Sequence, residues 1–333
     1  MILITSVDQW LGHSVASHMM HQPHIRKQLR LTYQDKSMCY NFERQGAQMV
    51  EIDYNNENSL ANAVRGVQHI VLAIGFEDQR VGFCKKLIQR ANKSGVKSII
   101  VVSHMGAISS SHQTLKEFSE IEEEMFETDM DYVILRPDWI NQNFHLWSSY
   151  IERYKALPMS ISADVNLCPI DLEDVCQIVD NLVLDNGEIR SQLDAEHVGQ
   201  VYTLTGPKHV SGKDLVNLLA KTTGYDKLLY QQVRRMDMSY YLNEIGRDIW
   251  FDARVKRERT QIYNDELANY NYKSRVFAAP NGTQVQTYLD YLDYIQTNQG
   301  STYSPHAEML AKRPCKTVEQ FFRDHANDFK PRV

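Results

Sequence analysis

A chain of 333 residues, 43% hydrophobic and 23% charged, has the make-up of an ordinary folded protein and can hold one large domain or two small ones. Its net charge of −6 argues against general affinity for nucleic acid or anionic membrane. Five scattered cysteines (Cys39, Cys84, Cys168, Cys176, Cys315) show neither a CxxC pair nor histidines at metal spacing, so they read as reduced thiols, with no metal site and no disulfide framework. The chain begins on Met1-Ile2-Leu3-Ile4-Thr5 with no basic region. That apolar run is too short for a signal peptide or membrane span, so the expected location is cytoplasmic, with the nucleus also open.

Residues 2–5 form a short apolar run, followed by a turn and a helical pattern over 12–20 with Val15, Ala16 and Met19 in phase. Strand patterns follow at 29–33 and 48–53. The continuous apolar runs 69–75 and 98–103 suit strands covered on both faces, as in a parallel sheet. Helical spacing intervenes at 59–64 and 81–91, the latter stopped by Asn92-Lys93-Ser94-Gly95. Tyr132-Val133-Ile134-Leu135 is a sixth strand. This alternation predicts βαβ units in a doubly wound, parallel Rossmann sheet, with ligands at the C-terminal strand ends.

The expected division is a dinucleotide-binding-type core over 1–150 and a smaller C-terminal α/β lobe with lid over 151–333. In the second part, a helix leads from Pro169-Ile170-Asp171 towards Leu184, and 201–204 reads as a strand. Ser211 and Asp214 suggest a capping box for a helix over 215–222. Residues 226–300 read as a lid or subdomain, and 317–329 as an amphipathic helix.

The first strand should run into a glycine-rich turn. There, one glycine permits the turn, a second lets phosphate approach, and a third packs helix on strand. With GxxGxxG spacing those positions fall on Ser6, Gln9 and Gly12, so only the packing glycine stands. Gln9 puts a side chain where phosphate would meet backbone, and Asp8 adds an anion or caps the helix. Weakened or relocated dinucleotide binding is one reading, and a capped turn without ligand is the other. At the second strand's end, Gln34-Asp35-Lys36 does not decide between NAD and NADP.

Several segments in order resemble the NmrA-like branch of the atypical short-chain dehydrogenase/reductases. They include Val50-Glu51-Ile52-Asp53-Tyr54, Val64-Arg65-Gly66-Val67, Gly95-Val96-Lys97, Ile121-Glu122, Leu135-Arg136-Pro137 and Asn143-Phe144. Asp171 to Val175, Tyr202 to Pro207 and Val318-Glu319-Gln320-Phe321-Phe322 complete the series, which spans nearly the whole chain. The resemblance implies a single α/β unit with a ligand cleft between its lobes. Its cofactor contacts would be Ser6, Asp8, Gln9, Trp10, Leu11, Gly12, Gln34, Asp53, Tyr54, Ala73, Ile74, Gly75, Ser103, Pro137, Asp138, Trp139 and Ile140.

Two departures stand out. Relatives commonly carry an arginine at Gln34 and a lysine at Phe118, near the nicotinamide. Lys116 lies about 200° round the helix from that position. The Tyr-x-x-x-Lys pair of ordinary short-chain dehydrogenases is absent too, so no catalytic residue is assigned. His104, His112 and Ser103 are the available substitutes, although each histidine reads first as a solvated loop residue.

The implied function is a non-catalytic, NmrA-like regulator acting through a protein partner such as a transcription regulator, with NAD(P) weakly bound or absent and no direct nucleic-acid contact. A small-molecule ligand in the interlobe cleft is also open. The alternative is an NAD(P)H-dependent reductase of a small carbonyl, quinone or enone, which needs a cation recruited to replace the lysine. A scaffold without a dinucleotide is a third reading. The acidic run from Glu117 to Glu127 reads as a solvated face or a docking surface for a basic partner. Arg254, Lys256, Arg257 and Arg259 read as a solvated basic helix, and the tyrosines between 225 and 293 as lid lining or ordinary packing.

Overall fold

A computed structural model describes residues 1–36, 40–245 and 280–331. Cys39 and the basic cluster Arg254–Arg259 lie outside the described residues.

The apolar runs become a seven-stranded, all-parallel sheet. Its strands are β1 (Ile2–Ile4), β2 (Leu29–Tyr33), β3 (Gln48–Glu51), β4 (His69–Ala73), β5 (Ser98–Val102), β6 (Asp131–Pro137) and β7 (Gln200–Leu204). Their order is β7-β6-β5-β4-β1-β2-β3, so the chain reverses direction across the sheet between β1 and β4. A crevice opens at such a switch point, beyond the strand ends. There the Thr5 hydroxyl accepts from the Ala73 N–H at 3.0 Å, which ties the two strand ends together.

Side chains alternate across the sheet. Ile2, Ile4, Val71 and Val133 enter one core with Val175, Ile178 and Val179 of the Leu172–Val183 helix. Leu3, Ile70, Leu72 and Ile134 enter another with Leu87 and Ile88 of the Arg80–Lys93 helix and Ile121 of the Gln113–Glu123 helix. Completely buried strands of this kind leave no polar face, which is why they read as continuous apolar runs.

The C-terminal half supplies β7 to the sheet and a third core, built around Trp147, Leu215, Leu219, Phe321 and Phe322. The Ser211–Asp214 capping box forms and starts the Gly212–Thr223 helix. The expected helix over 317–329 is instead two pieces. Val318–Asp324 is α-helical and Ala326–Asp328 is a 3₁₀ turn, with the break at His325.

The Gly282–Thr297 helix lies over the crevice as a roof. Asn281 Nδ2 donates to the Phe76 carbonyl at 2.9 Å, and the Thr283 hydroxyl donates to Asp78. At its far side the Thr114 hydroxyl donates to Asp290 at 2.6 Å, and His112 Nε2 meets Asp293 at 3.0 Å.

Candidate active site

The turn after β1 holds Ser6 at φ 52°, the left-handed conformation that glycine adopts more readily. A Cβ on Gly12 would overlap the Thr5 and Ser6 carbonyls, so this position packs helix against strand and admits no side chain. The Trp10–Met19 helix begins without a capping side chain, and Asp8 does not cap it as expected. Asp8 Oδ2 instead accepts from the backbone N–H groups of Gln34 and Asp35, both at 2.9 Å, because the β2 end passes beside the turn. An uncapped helix start facing the crevice suits an anion.

Gln9 crosses this space. Its Oε1 accepts from the Phe76 N–H at 3.0 Å and its Nε2 donates to Glu77. Burial and the nearby charge of Asp8 raise the Glu77 carboxyl above its ordinary value. Tyr54 is buried and stacked on Phe83, with ring centres 4.6 Å apart. Asp53 is exposed and accepts from the Asn55 N–H at 2.9 Å, while Gln34 is exposed.

Beyond the turn lies a narrow cavity of about 40 Å³. Trp10, Leu11, Ile74, Ser103, Pro137, Asp138, Trp139 and Ile140 line it. Ala73 and Gly75 lie just behind, at the end of β4. Sequence reasoning missed Phe76, Asn143 and Tyr288 as lining residues. Tyr288 donates to Asn143 Oδ1 at 3.0 Å and packs on Trp139 with ring centres 5.4 Å apart. Its walls are apolar with a few polar groups, the make-up of a small-molecule site.

Three expectations at this site need correction. His104 is a half-buried wall residue, and its Nδ1 accepts from the Gly106 N–H at 2.9 Å, which leaves the proton on Nε2. Burial, reinforced by the charge of Arg80, pushes its pKa down to about 3. The ring is therefore a neutral N–H donor. His112 instead binds the roof through Asp293 and is not among the cavity's lining residues.

Glu122 does not belong to a solvated acidic face. It is buried, accepts from the Ser103 hydroxyl at 2.5 Å and pairs with Arg136.

The missing lysine has a counterpart in charge. Arg80 is 1% exposed, with its guanidinium 4.5 Å from the centre of the Phe118 ring. Its Nε pairs with Glu117 at 2.8 Å, and it also donates to the Thr114 carbonyl at 2.6 Å. The sequence clue was an arginine on the apolar stripe Arg80, Cys84, Leu87, Ile88, Ala91.

Comparison with known proteins extends this geometry. The chain is 24% identical to quinone oxidoreductase 2 of Escherichia coli (strain K12), over 80% of this chain and 91% of the relative. It is 22% identical to an NAD(P)H azoreductase of Xenophilus azovorans, over 57% of this chain and 63% of the relative. The structure superimposes on the NADPH complex of the E. coli quinone oxidoreductase with a TM-score of 0.71 at 19% identity, covering 98% of this chain and 99% of that one. For the Citrobacter sp. triphenylmethane reductase complexed with NADP(H), the TM-score is 0.74 at 15% identity, with the same coverage. These structural likenesses establish a shared Rossmann fold.

The relatives correct the expectation of a non-catalytic regulator, because they are named as reductases. The expected weakness or absence of dinucleotide binding gains no support from them either. Among the described residues no helix is long and apolar enough to cross a membrane. Residues 11–153 match the model of an NAD(P)H-binding family, and the parallel sheet that they help to build is of the Rossmann type.

Proposed function

We propose that this protein is an NAD(P)H-dependent reductase of flat, electron-poor acceptors of the quinone, azo or triarylmethane kind. The observation that carries this reading is the similarity to a quinone oxidoreductase over 80% of this chain and 91% of that relative. The cavity supports it, since four strand ends and an aromatic roof converge on one narrow slot.

When bound, the reduced dinucleotide supplies a hydride. The Ser6–Gly12 turn and the start of the Trp10–Met19 helix would receive its phosphates once Gln9 swings aside. Leu11, Ile74, Phe76 and Pro137 would face the nicotinamide, and Tyr288 and Trp139 would exclude water from above. Neutral His104 would offer its Nε2–H to an acceptor oxygen. A neutral imidazole held in this tautomer polarises without first having to lose charge. Arg80 stands behind Phe118 and favours negative charge developing on the acceptor.

The test is steady-state oxidation of NADH and NADPH by a naphthoquinone, an azo dye and a triarylmethane dye. Turnover with at least one acceptor is expected, with kcat reduced tenfold or more for the quinone in His104→Ala. A folded protein that consumes neither nucleotide with any of the three would sink the reading.

A further inference from the structure

The Val318–Asp324 helix stops at His325, whose φ of −116° and ψ of 20° leave the helical range, and Ala326–Asp328 continues as a 3₁₀ turn. Side chains three residues apart eclipse one another in that tighter winding. The Asp328 N–H donates to the His325 carbonyl at 2.9 Å, and the His325 ring and the Asp328 carboxylate come to lie side by side. Opposite them is His145, on the Asn141–Trp147 3₁₀ turn. Asn143 of that same turn lines the cavity.

Three side chains from two distant parts of the sequence thus meet at one point. Nδ1 of His325 is 3.4 Å and Nδ1 of His145 3.9 Å from a single oxygen, Asp328 Oδ2. One ligand atom from each residue lies within 4.8 Å of the other two. Neither distance to the oxygen is that of a closed, charge-assisted hydrogen bond, which settles at about 2.7–2.9 Å. Both are nearer the separation of two atoms bound to one ion. Metal bonds of about 2.0–2.1 Å at the tetrahedral angle set neighbouring ligand atoms about 3.3 Å apart. The excess, larger at His145, is within reach of a small side-chain rotation.

The two rings are held in place by packing. His145 is 9% and His325 6% exposed. His145 stacks on Phe329, with planes 16° apart and ring centres at 5.2 Å, and stands edge-on to Phe321 at 5.4 Å. His325 packs on the same Phe321 at 4.7 Å, and the two imidazoles meet edge to face at 4.8 Å. Such packing fixes where ring nitrogens point before any ligand arrives. The Asp328 side chain is 31% exposed, which gives an ion a way in from solvent.

We propose that His145, His325 and Asp328 form a zinc-binding site. Two imidazoles and one carboxylate suit Zn²⁺, whereas Mg²⁺ and Ca²⁺ favour oxygen alone, and a water would complete the fourth position. The bound ion would staple the end of the chain to the turn that carries Asn143, and so brace one wall of the cavity. This site is independent of the reductase reading. Asp194, Glu196 and His197 form the other such group among the described residues. There Arg190 already holds Asp194 at 2.8 Å, and His197 Nδ1 meets the Tyr202 hydroxyl at 3.0 Å.

The experiment titrates the metal-free, full-length protein with zinc chloride, reading stoichiometry and affinity by calorimetry and the melting temperature in parallel. One Zn²⁺ per chain is expected. Zinc at 100 times its dissociation constant should raise the melting temperature by at least about 3 °C. His325→Ala should weaken zinc binding at least tenfold. Asp328→Ala should do the same at a partly exposed position, where the aromatic packing stays intact if the first variant fails to fold. His197→Gln should change nothing.

Loss of a histidine–carboxylate contact alone would lower the metal-free melting temperature and leave the zinc-dependent rise intact, so the rise is the deciding measurement. Co²⁺ in the wild type should also give the visible d–d bands of a four-coordinate site, and these should be lost in Asp328→Ala. A wild type that zinc does not stabilise would overturn the proposal. So would wild-type zinc affinity in both ligand variants, or cobalt bands that Asp328→Ala leaves unchanged.

Discussion

The guanidinium of Arg80 lies against the face of Phe118, 4.5 Å from the ring centre, so the helix that lacks the family's lysine is still next to a cation. Restoring the lysine would set two positive charges in one buried space. Phe118→Lys should cost about 3 kcal/mol, in the range for an uncompensated buried charge. Arg80→Met should also destabilise. The double variant should recover at least about 1 kcal/mol relative to the sum of the singles, because it removes the repulsion. Urea unfolding of the four proteins checks this, and simple additivity would show that the two positions do not interact.

Gln9 and Glu77 occupy the place proposed for phosphate. Gln9→Ala should tighten dinucleotide binding by about fivefold, since it removes a side chain that must otherwise be displaced from the Phe76 amide. Glu77→Gln should act in the same direction by removing a charge. Its carboxyl is raised by burial, so its ionisation disfavours the fold as pH rises, and the variant should also be more stable at neutral pH. Titration followed by intrinsic fluorescence reads the affinity, and weaker binding in both variants would contradict this placement.

Asp8 sits on the amides of Gln34 and Asp35, where the adenosine ribose is expected. Its charge works against a 2′-phosphate. Asp8→Asn keeps an oxygen for those amides, and should improve NADPH binding about fivefold more than NADH binding, as loss of about 1 kcal/mol of repulsion would give. The ratio of the two dissociation constants is the measurement. An unchanged ratio would place the phosphate elsewhere.

Acid should weaken the fold through His13, which is 4% exposed, with Nδ1 3.2 Å from the Val7 carbonyl. Burial pushes its pKa down from 6.5 to about 4. A depressed histidine stabilises fully above the unfolded value, and that stability is lost as pH falls from 6.5 towards 4. The shift corresponds to at most about 3 kcal/mol. Melting temperature should drop across that window, and less steeply in His13→Gln. Parallel pH curves for the two proteins would remove His13 as the cause.

The sheet was legible because strands buried on both faces leave continuous apolar runs, as at Ile70 to Ala73 and Ile99 to Val102. Gly12 was legible as the packing glycine. The roles of Arg80 and Glu122 were not, because each depends on which helix docks where. Glu122 read as one of many acids, yet it shares the buried stripe of Leu115, Phe118 and Ile121, and an acid on such a stripe usually has a buried partner. Tyr288 and Tyr291 stood out only as tyrosines. Nothing local says that their helix crosses the crevice and bonds to Asn143 and Asp138.

The segment from Phe76 to Asp78 is gripped from both sides. Gln9 takes its amide on one flank, and Asn281 and Thr283 take the Phe76 carbonyl and the Asp78 side chain on the other. Whatever parts Gln9 from Phe76 therefore pulls on the same three residues that moor the roof. On the proposed reductase reading, the nucleotide is expected to bind first and the acceptor second, an order that initial-rate patterns and the type of product inhibition would test.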